Sequence, residues 1–342
     1  MTIKAFALTL ILASTATLAQ ASSLARFAPS LAALKGLAQE SAQTAPGDVQ
    51  SLRKLMIQKD GRKWLFRIEG LVRLYRTTEA ETAKPLLRKI KELEDGVGDH
   101  TAAVDFANYG RSVPVEPALQ AVLDAEVART AVDMDALLTT WFLQPRPYID
   151  LYTLGLSQLR ERTDRELIEA FKTEVRGVKE LDFDLNLLED GVHELRRQVR
   201  WLNIYAEGLG DLFNVTVDAS IPDDFRRLES SGRPGESIRI EKSFTRKLSV
   251  FLTGIGKLKD QGEPVEALVI AAKKAGLVQD HAQGEALVRT ILVANNKIYP
   301  EITRPAQQIV ADFDLQASLD QWLDVLDRYQ EASPTLRMAS SF

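Results

Sequence analysis

The chain of 342 residues has no cysteine and only three histidines. Without cysteine there can be no disulfide framework, no thiol nucleophile and no lipid-modified N-terminal cysteine. Three histidines leave few places for imidazole chemistry. Other absences narrow the field further. There is no Gly-x-Ser-x-Gly elbow, and Gly254 and Gly256 precede no Lys-Ser or Lys-Thr pair of the kind that closes a phosphate-cradling loop. Strict apolar-polar alternation is never sustained, so the sequence does not read as sheet.

Long apolar runs are also missing, with one exception. Lys4 precedes an uncharged, mostly apolar stretch from Ala5 to Leu18, followed by Ala19-Gln20-Ala21. That order predicts a secretory signal peptide over residues 1–21, cut after Ala21, and a periplasmic or secreted protein with no integral membrane segment after cleavage. Cleavage removes one basic residue, Lys4, from a chain with 43 basic and 48 acidic side chains, so the net charge moves from −5 to −6. The whole molecule is therefore no trap for polyanions. The charge is uneven, however: from Arg53 to Lys91 there are twelve Lys or Arg residues against Asp60, Glu69, Glu79 and Glu81. Segregation of this kind can present a basic face to an acidic ligand.

Apolar residues recur at three- and four-residue steps along most of the chain, which predicts an all-α protein of antiparallel helical bundles. Helices are expected at 61–76, 79–94, 116–141, 164–179, 184–213, 241–259, 264–275, 284–299 and 305–329, with Pro and Gly clusters between them. Residues 22–48 read as a linker or lead-in helix, 49–220 as a first bundle with a central histidine helix, and 221–237 as a loop. Residues 238–332 supply the remaining helices of the same unit, and 333–342 form a tail.

Two of these helices carry the chemistry. On the first, Trp64, Ile68, Leu71, Val72 and Tyr75 form an apolar arc, with Arg62, Glu69, Arg73 and Arg76 opposite. On the second, Leu188, Val192, Leu195, Val199, Leu202, Ala206 and Leu209 form the core stripe, and His193, Arg196, Arg197 and Arg200 lie on the other side. Three- and four-residue steps stack His193, Arg196 and Arg200 in a row that can meet successive phosphate oxygens. The competing expectation is that Glu189, Glu194 and Glu207 consume these cations in intrahelical pairs of small energetic value.

The run LLEDGVHELRRQVRWLNIYAEGL resembles the histidine-bearing helix of the CHAD (conserved histidine α-helical) domain family. KWLFRIEGLVRLYR resembles that family's first histidine helix, without its histidine, and LLRKIKELEDGVGDHTAAVDF resembles its amphipathic helix with an acidic turn. Setting Gly61 against Gly191 places Lys63 on His193, Leu65 on Leu195, Arg67 on Arg197 and Tyr75 on Tyr205. The resemblance implies two related four-helix bundles in one CHAD-like unit and non-catalytic binding of inorganic polyphosphate or another phosphate-rich polyanion. It implicates Lys63, Arg67, Arg73, Arg76, His193, Arg196, Arg197 and Arg200. His193 would make binding strengthen below neutrality, because an ordinary histidine titrates near pH ~6.5. Neither a cofactor nor a nucleic-acid preference is implied. The alternative is an exported helical scaffold that binds a protein partner.

LEDGV occurs twice, at 93–97 and 188–192. The two copies are separated by a different interval from the paired glycines, so the first is expected to end a helix and the second to lie inside one. Asp190 with His193 and Asp99 with His100 are the candidate metal pairs. A di-iron bundle needs two such motifs on facing helices, so no metal is expected. His281 is expected at the surface near a helix start.

Overall fold

The computed structural model describes residues 23–144, 147, 149, 155–209, 214–216, 227–229 and 242–331. The signal peptide expected at 1–21 and the tail at 333–342 lie outside the described residues, as does most of the loop expected at 221–237. The fold is all-α and multi-helical. A 3-10 turn at Ser23–Phe27 leads into α1 (Ala28–Thr44), α2 (Val49–Gln58), α3 (Gly61–Tyr75), α4 (Ala80–Ser112) and α5 (Pro117–Leu138). After these come α6 (Asp164–Lys179), α7 (Glu194–Gly208), α8 (Lys242–Lys274), α9 (His281–Ala294), α10 (Thr303–Phe313) and α11 (Leu315–Glu331). A small antiparallel ribbon, β1 (Asn214–Thr216) with β2 (Arg227–Glu229), is the only pairing of strands among the described residues.

Local chemistry sets several helix ends. Asp48 caps α2 by accepting from the Gln50 and Ser51 amides, and Asp280 caps α9 through the Gln283 amide. Thr163 and Glu166 form a reciprocal capping box that starts α6, and α6 spans the expected 164–179. Elsewhere the boundaries differ from expectation. The helices expected at 241–259 and 264–275 are one, α8, with Pro264 inside it. The helix expected at 305–329 is broken into α10 and α11 by Asp314, which adopts a left-handed conformation at φ 50°. The 116–141 helix ends at Leu138 and continues as a π turn, Thr139–Leu143.

Neither LEDGV copy takes the role expected of it. Leu93–Val97 does not end a helix but sits in the middle of α4, which runs on to Ser112. Leu188–His193 is a π turn that opens into α7, so this copy begins the helix. Gly191 is required there, since a Cβ at this position would lie 1.8 Å from the Asp184 carbonyl oxygen. In the first copy the glycine serves packing: a Cβ on Gly96 would strike the Leu137 side chain of α5.

One apolar cluster runs from Phe27 of the first turn to Leu326 of α11 and takes in the inner faces of α1 to α4, the end of α5 at Met134 and Leu138, α6 to α8 and α10. A satellite cluster lies beyond it, where the far halves of α4 and α8 meet α5 and α9 around Ala107, Leu119, Leu268 and Val288. In the main core, α3 and α7 run in the same direction. Phe66 meets Trp201, and a Cβ on Gly70 would strike Ile204. A Cβ on Gly208 would likewise meet Leu71 at 2.9 Å, so the two backbones approach closely at both crossings. Leu65, Leu195, Tyr75 and Tyr205 are all buried.

Candidate functional site: a basic groove between three helices

The apolar stripes of α3 and α7 face the core, so their cationic faces are carried to its rim. Where α8 closes against them, a groove of about 1080 Å³ opens between the three helices, with Met56 and Ile57 of α2 and Val97 and Thr101 of α4 completing its wall. Arg62, Lys63 and Arg67 reach it from α3, Arg196 and Arg200 from α7, and Lys257 from α8. Three acids, Asp60, Glu207 and Asp260, also line it, leaving the wall with an excess of three positive charges. Phe66, Thr101 and Asn203 complete the part of the lining that matters chemically.

The cations differ in how they are satisfied. Arg62 donates from Nε to Glu94 Oε1 at 2.5 Å, and Arg67 donates from Nη2 to Glu207 Oε2 at 2.9 Å. Asn203 donates to the other oxygen of Glu207 at 3.1 Å. Lys63, Arg196, Arg200 and Lys257 have no ion pair or hydrogen bond to a side chain among the described residues. Arg200 stacks instead on the Phe66 ring, 4.0 Å from its centre, and Arg62 lies 5.1 Å from the same ring. Burial, together with the neighbouring Arg196 and Arg62 guanidiniums, pushes Arg200 down to about 10, a direction that Glu94 and Asp60 oppose only in part.

Glycines make the seats for two of these guanidiniums. A Cβ on Gly98 of α4 would lie 2.5 Å from Arg62 Cζ, and one on Gly256 of α8 would lie 3.1 Å from Arg196 Nε. Both arginines therefore rest on bare backbone; a Cβ at Gly98 would displace the Arg62 head group, and one at Gly256 would crowd that of Arg196.

Of the eight residues singled out in the sequence, Lys63, Arg67, Arg196 and Arg200 come together here. The other four do not line the groove. Arg73 donates from Nε and Nη2 to the buried Glu69 carboxylate, at 3.0 and 2.8 Å, and stacks on Trp201 at 4.2 Å. Arg76 pairs with Glu174 at 3.4 Å, and Arg197 pairs with Glu194 on the outer face of α7. His193 closes the π turn and is half-buried.

Arg62, Phe66, Lys257 and Glu94 were not assigned to the site from the sequence. Arg62 was visible on the cationic arc of its helix. Lys257 is signalled in the sequence only by the Gly254-x-Gly256-Lys257 run, which lacks the Ser or Thr of a phosphate loop. Of the metal candidates, Asp99 is exposed while His100 is buried against Thr130 at 3.0 Å, so the pair diverges. No group of three or more metal-ligating side chains occurs among the described residues. His281 is exposed and lies between Glu266 and Glu285, at 3.7 and 3.6 Å. No described helix is long and apolar enough to cross a membrane.

Comparison with known proteins yields no relative: no family model, no curated protein and no solved structure matches this chain.

Proposed function

We propose that the protein is a non-catalytic binder of inorganic polyphosphate or another phosphate-rich polyanion, taken into the groove between α3, α7 and α8. The reading includes a CHAD-like arrangement of two related four-helix bundles and export to the periplasm or beyond. One observation carries it. Arg196 and Arg200, with Lys63 and Lys257 beside them, face one cavity with no carboxylate partner among the described residues. Burying a guanidinium without a counter-charge is costly, and a phosphate chain would relieve that cost with bidentate, charge-assisted hydrogen bonds. The matching burial of Leu65 with Leu195 and of Tyr75 with Tyr205 supports treating α3 and α7 as related helices.

The second reading, a scaffold that binds a protein partner, is favoured by the pairing of Arg67, Arg73, Arg76 and Arg197 with carboxylates. Calorimetric titration of the mature protein with polyphosphate at low and moderate salt separates the two. Binding that weakens steeply with salt and is lost in an Arg196→Ala, Arg200→Ala double variant supports the groove. A folded wild type that binds no polyphosphate transfers the function to the scaffold reading.

A further inference from the structure

Behind one cation of the groove lies a carboxylate that does not line it. Glu94 lies on α4 behind Arg62, and its side chain is 3% exposed whereas that of Arg62 is 42% exposed. Arg62 is the only side chain among the described residues that bonds or pairs with Glu94, and it shares the Phe66 ring with Arg200. The arginine thus divides its charge between a hidden carboxylate and an open cavity.

We propose that Glu94 is a proton-operated counter-ion of the groove: ionised, it holds Arg62; protonated, it yields Arg62 to a bound oxyanion, so that the ligand is taken up together with a proton. This rests on the reading of the groove as an anion site. The charged groups facing Glu94 are Arg62 and Glu69 from α3, Asp95 on α4 itself and Arg200 from α7. Asp60 stands at the start of α3, and Lys257 and Asp260 line the α8 wall. From α5, the charged groups near this part of α4 act elsewhere: Arg129 towards Asp99, and Asp135 onto Arg53.

Desolvation raises the Glu94 carboxyl above its ordinary range; Arg62 pulls it down, and Asp95 and Glu69 push it up further. An oxyanion beside Arg62 would raise it again, since a neighbouring negative charge disfavours the ionised carboxylate. By linkage, binding must then strengthen as pH falls, and protons must be absorbed on binding.

The test uses trimetaphosphate, a cyclic phosphate whose own charge stays constant across the pH range of the titration. Affinity is measured by calorimetry against pH, in two buffers of different ionisation heat so that proton uptake is read directly. Wild type is expected to bind more tightly as pH falls and to take up protons. Glu94→Gln, which keeps the shape and a hydrogen-bonding oxygen, is expected to bind about tenfold more tightly than wild type at the alkaline end, with a flat profile and no uptake assigned to this site. Arg62→Gln loses the acid-side gain and serves as a second probe of the same pair. His193→Gln is expected to retain the wild-type slope.

The inference is overturned if Glu94→Gln keeps the wild-type slope and proton uptake, or if His193→Gln abolishes them. A folded wild type that binds trimetaphosphate at no pH removes the anion-site reading as well, whereas pH-independent binding removes this inference alone.

Discussion

Arg73 packs its guanidinium 4.2 Å from the centre of Trp201, and Arg200 packs its own 4.0 Å from Phe66. The two rings meet edge to face at 5.6 Å. The arginines are thus neighbours on one aromatic shelf, yet their environments are opposite. Arg73 has a carboxylate of its own, Glu69, which with Tyr205 and Glu174 raises the guanidinium above its ordinary value despite burial. Arg200 has none and is pushed down to about 10. One guanidinium is neutralised within the fold, and the other has no carboxylate bonded to it among the described residues. The difference teaches that stacking on an aromatic ring does not tell whether an arginine is neutralised within the fold; the presence of a fixed counter-charge does.

The comparison can be broken most severely on the Glu69 side. Replacing Glu69 with Leu leaves Arg73 buried without its carboxylate, and chemical denaturation is expected to show a loss of about 3 kcal/mol. A loss no greater than that of an exposed substitution would mean that Arg73 is not structural. Arg200→Met is the mirror experiment. Removing a cation that lacks a partner should change stability by no more than about 1 kcal/mol, with part of any loss coming from the Phe66 stack. The same variant, combined with Arg196→Met, should weaken polyphosphate binding by about a hundredfold at low salt and flatten its dependence on log salt by about two units. Retention of the full salt slope would place the ligand elsewhere.

A smaller effect is expected at Arg67, whose partner Glu207 is also open to solvent. Arg67→Ala should cost about 0.5 kcal/mol of stability at most. The smallest effect concerns pH. Because the Glu94 carboxyl is raised in the folded protein, its contribution to stability is fully present below about pH 4.3 and is lost as pH rises through the folded value. Denaturation of Glu94→Gln beside wild type should therefore show the variant gaining relative stability as pH rises. A constant difference would mean that Glu94 titrates normally.

Much of this architecture was legible, and the failures have particular causes. The helical class, α3 and α6 followed from three- and four-residue periodicity. The LEDGV copies misled because glycine after an acidic pair looks like a helix stop. In α4, the glycines at 96 and 98 instead admit Leu137 and Arg62. Only tertiary contact decides between those two uses. Asp314 ends α10 in a left-handed conformation that glycine or asparagine would normally announce, so periodicity ran straight through it.

At the site, helical spacing grouped His193, Arg196 and Arg200 in one row, and of these only the two arginines line the groove. The family resemblance joined Arg73 to them, and a wheel could not separate it, because a wheel shows which face a cation occupies and not which residue of another helix comes to meet it. Trp201 and Glu69 claimed Arg73, while Lys257 arrived from a helix far away in sequence. Glu94 was invisible for the same reason, since its importance depends on Arg62 of another helix lying across it.

The seats under Arg62 and Arg196 have a consequence for how such a protein could change over time. Each guanidinium rests on a hydrogen atom, at Gly98 and at Gly256. One added methyl group would move the Arg62 guanidinium from its seat at Gly98, and would press the Arg196 guanidinium at Gly256, while leaving every lysine and arginine in the sequence untouched. A lineage could therefore silence or retune this groove without altering its count of basic residues, and a survey that scored descendants by charge alone would take the silent ones for active.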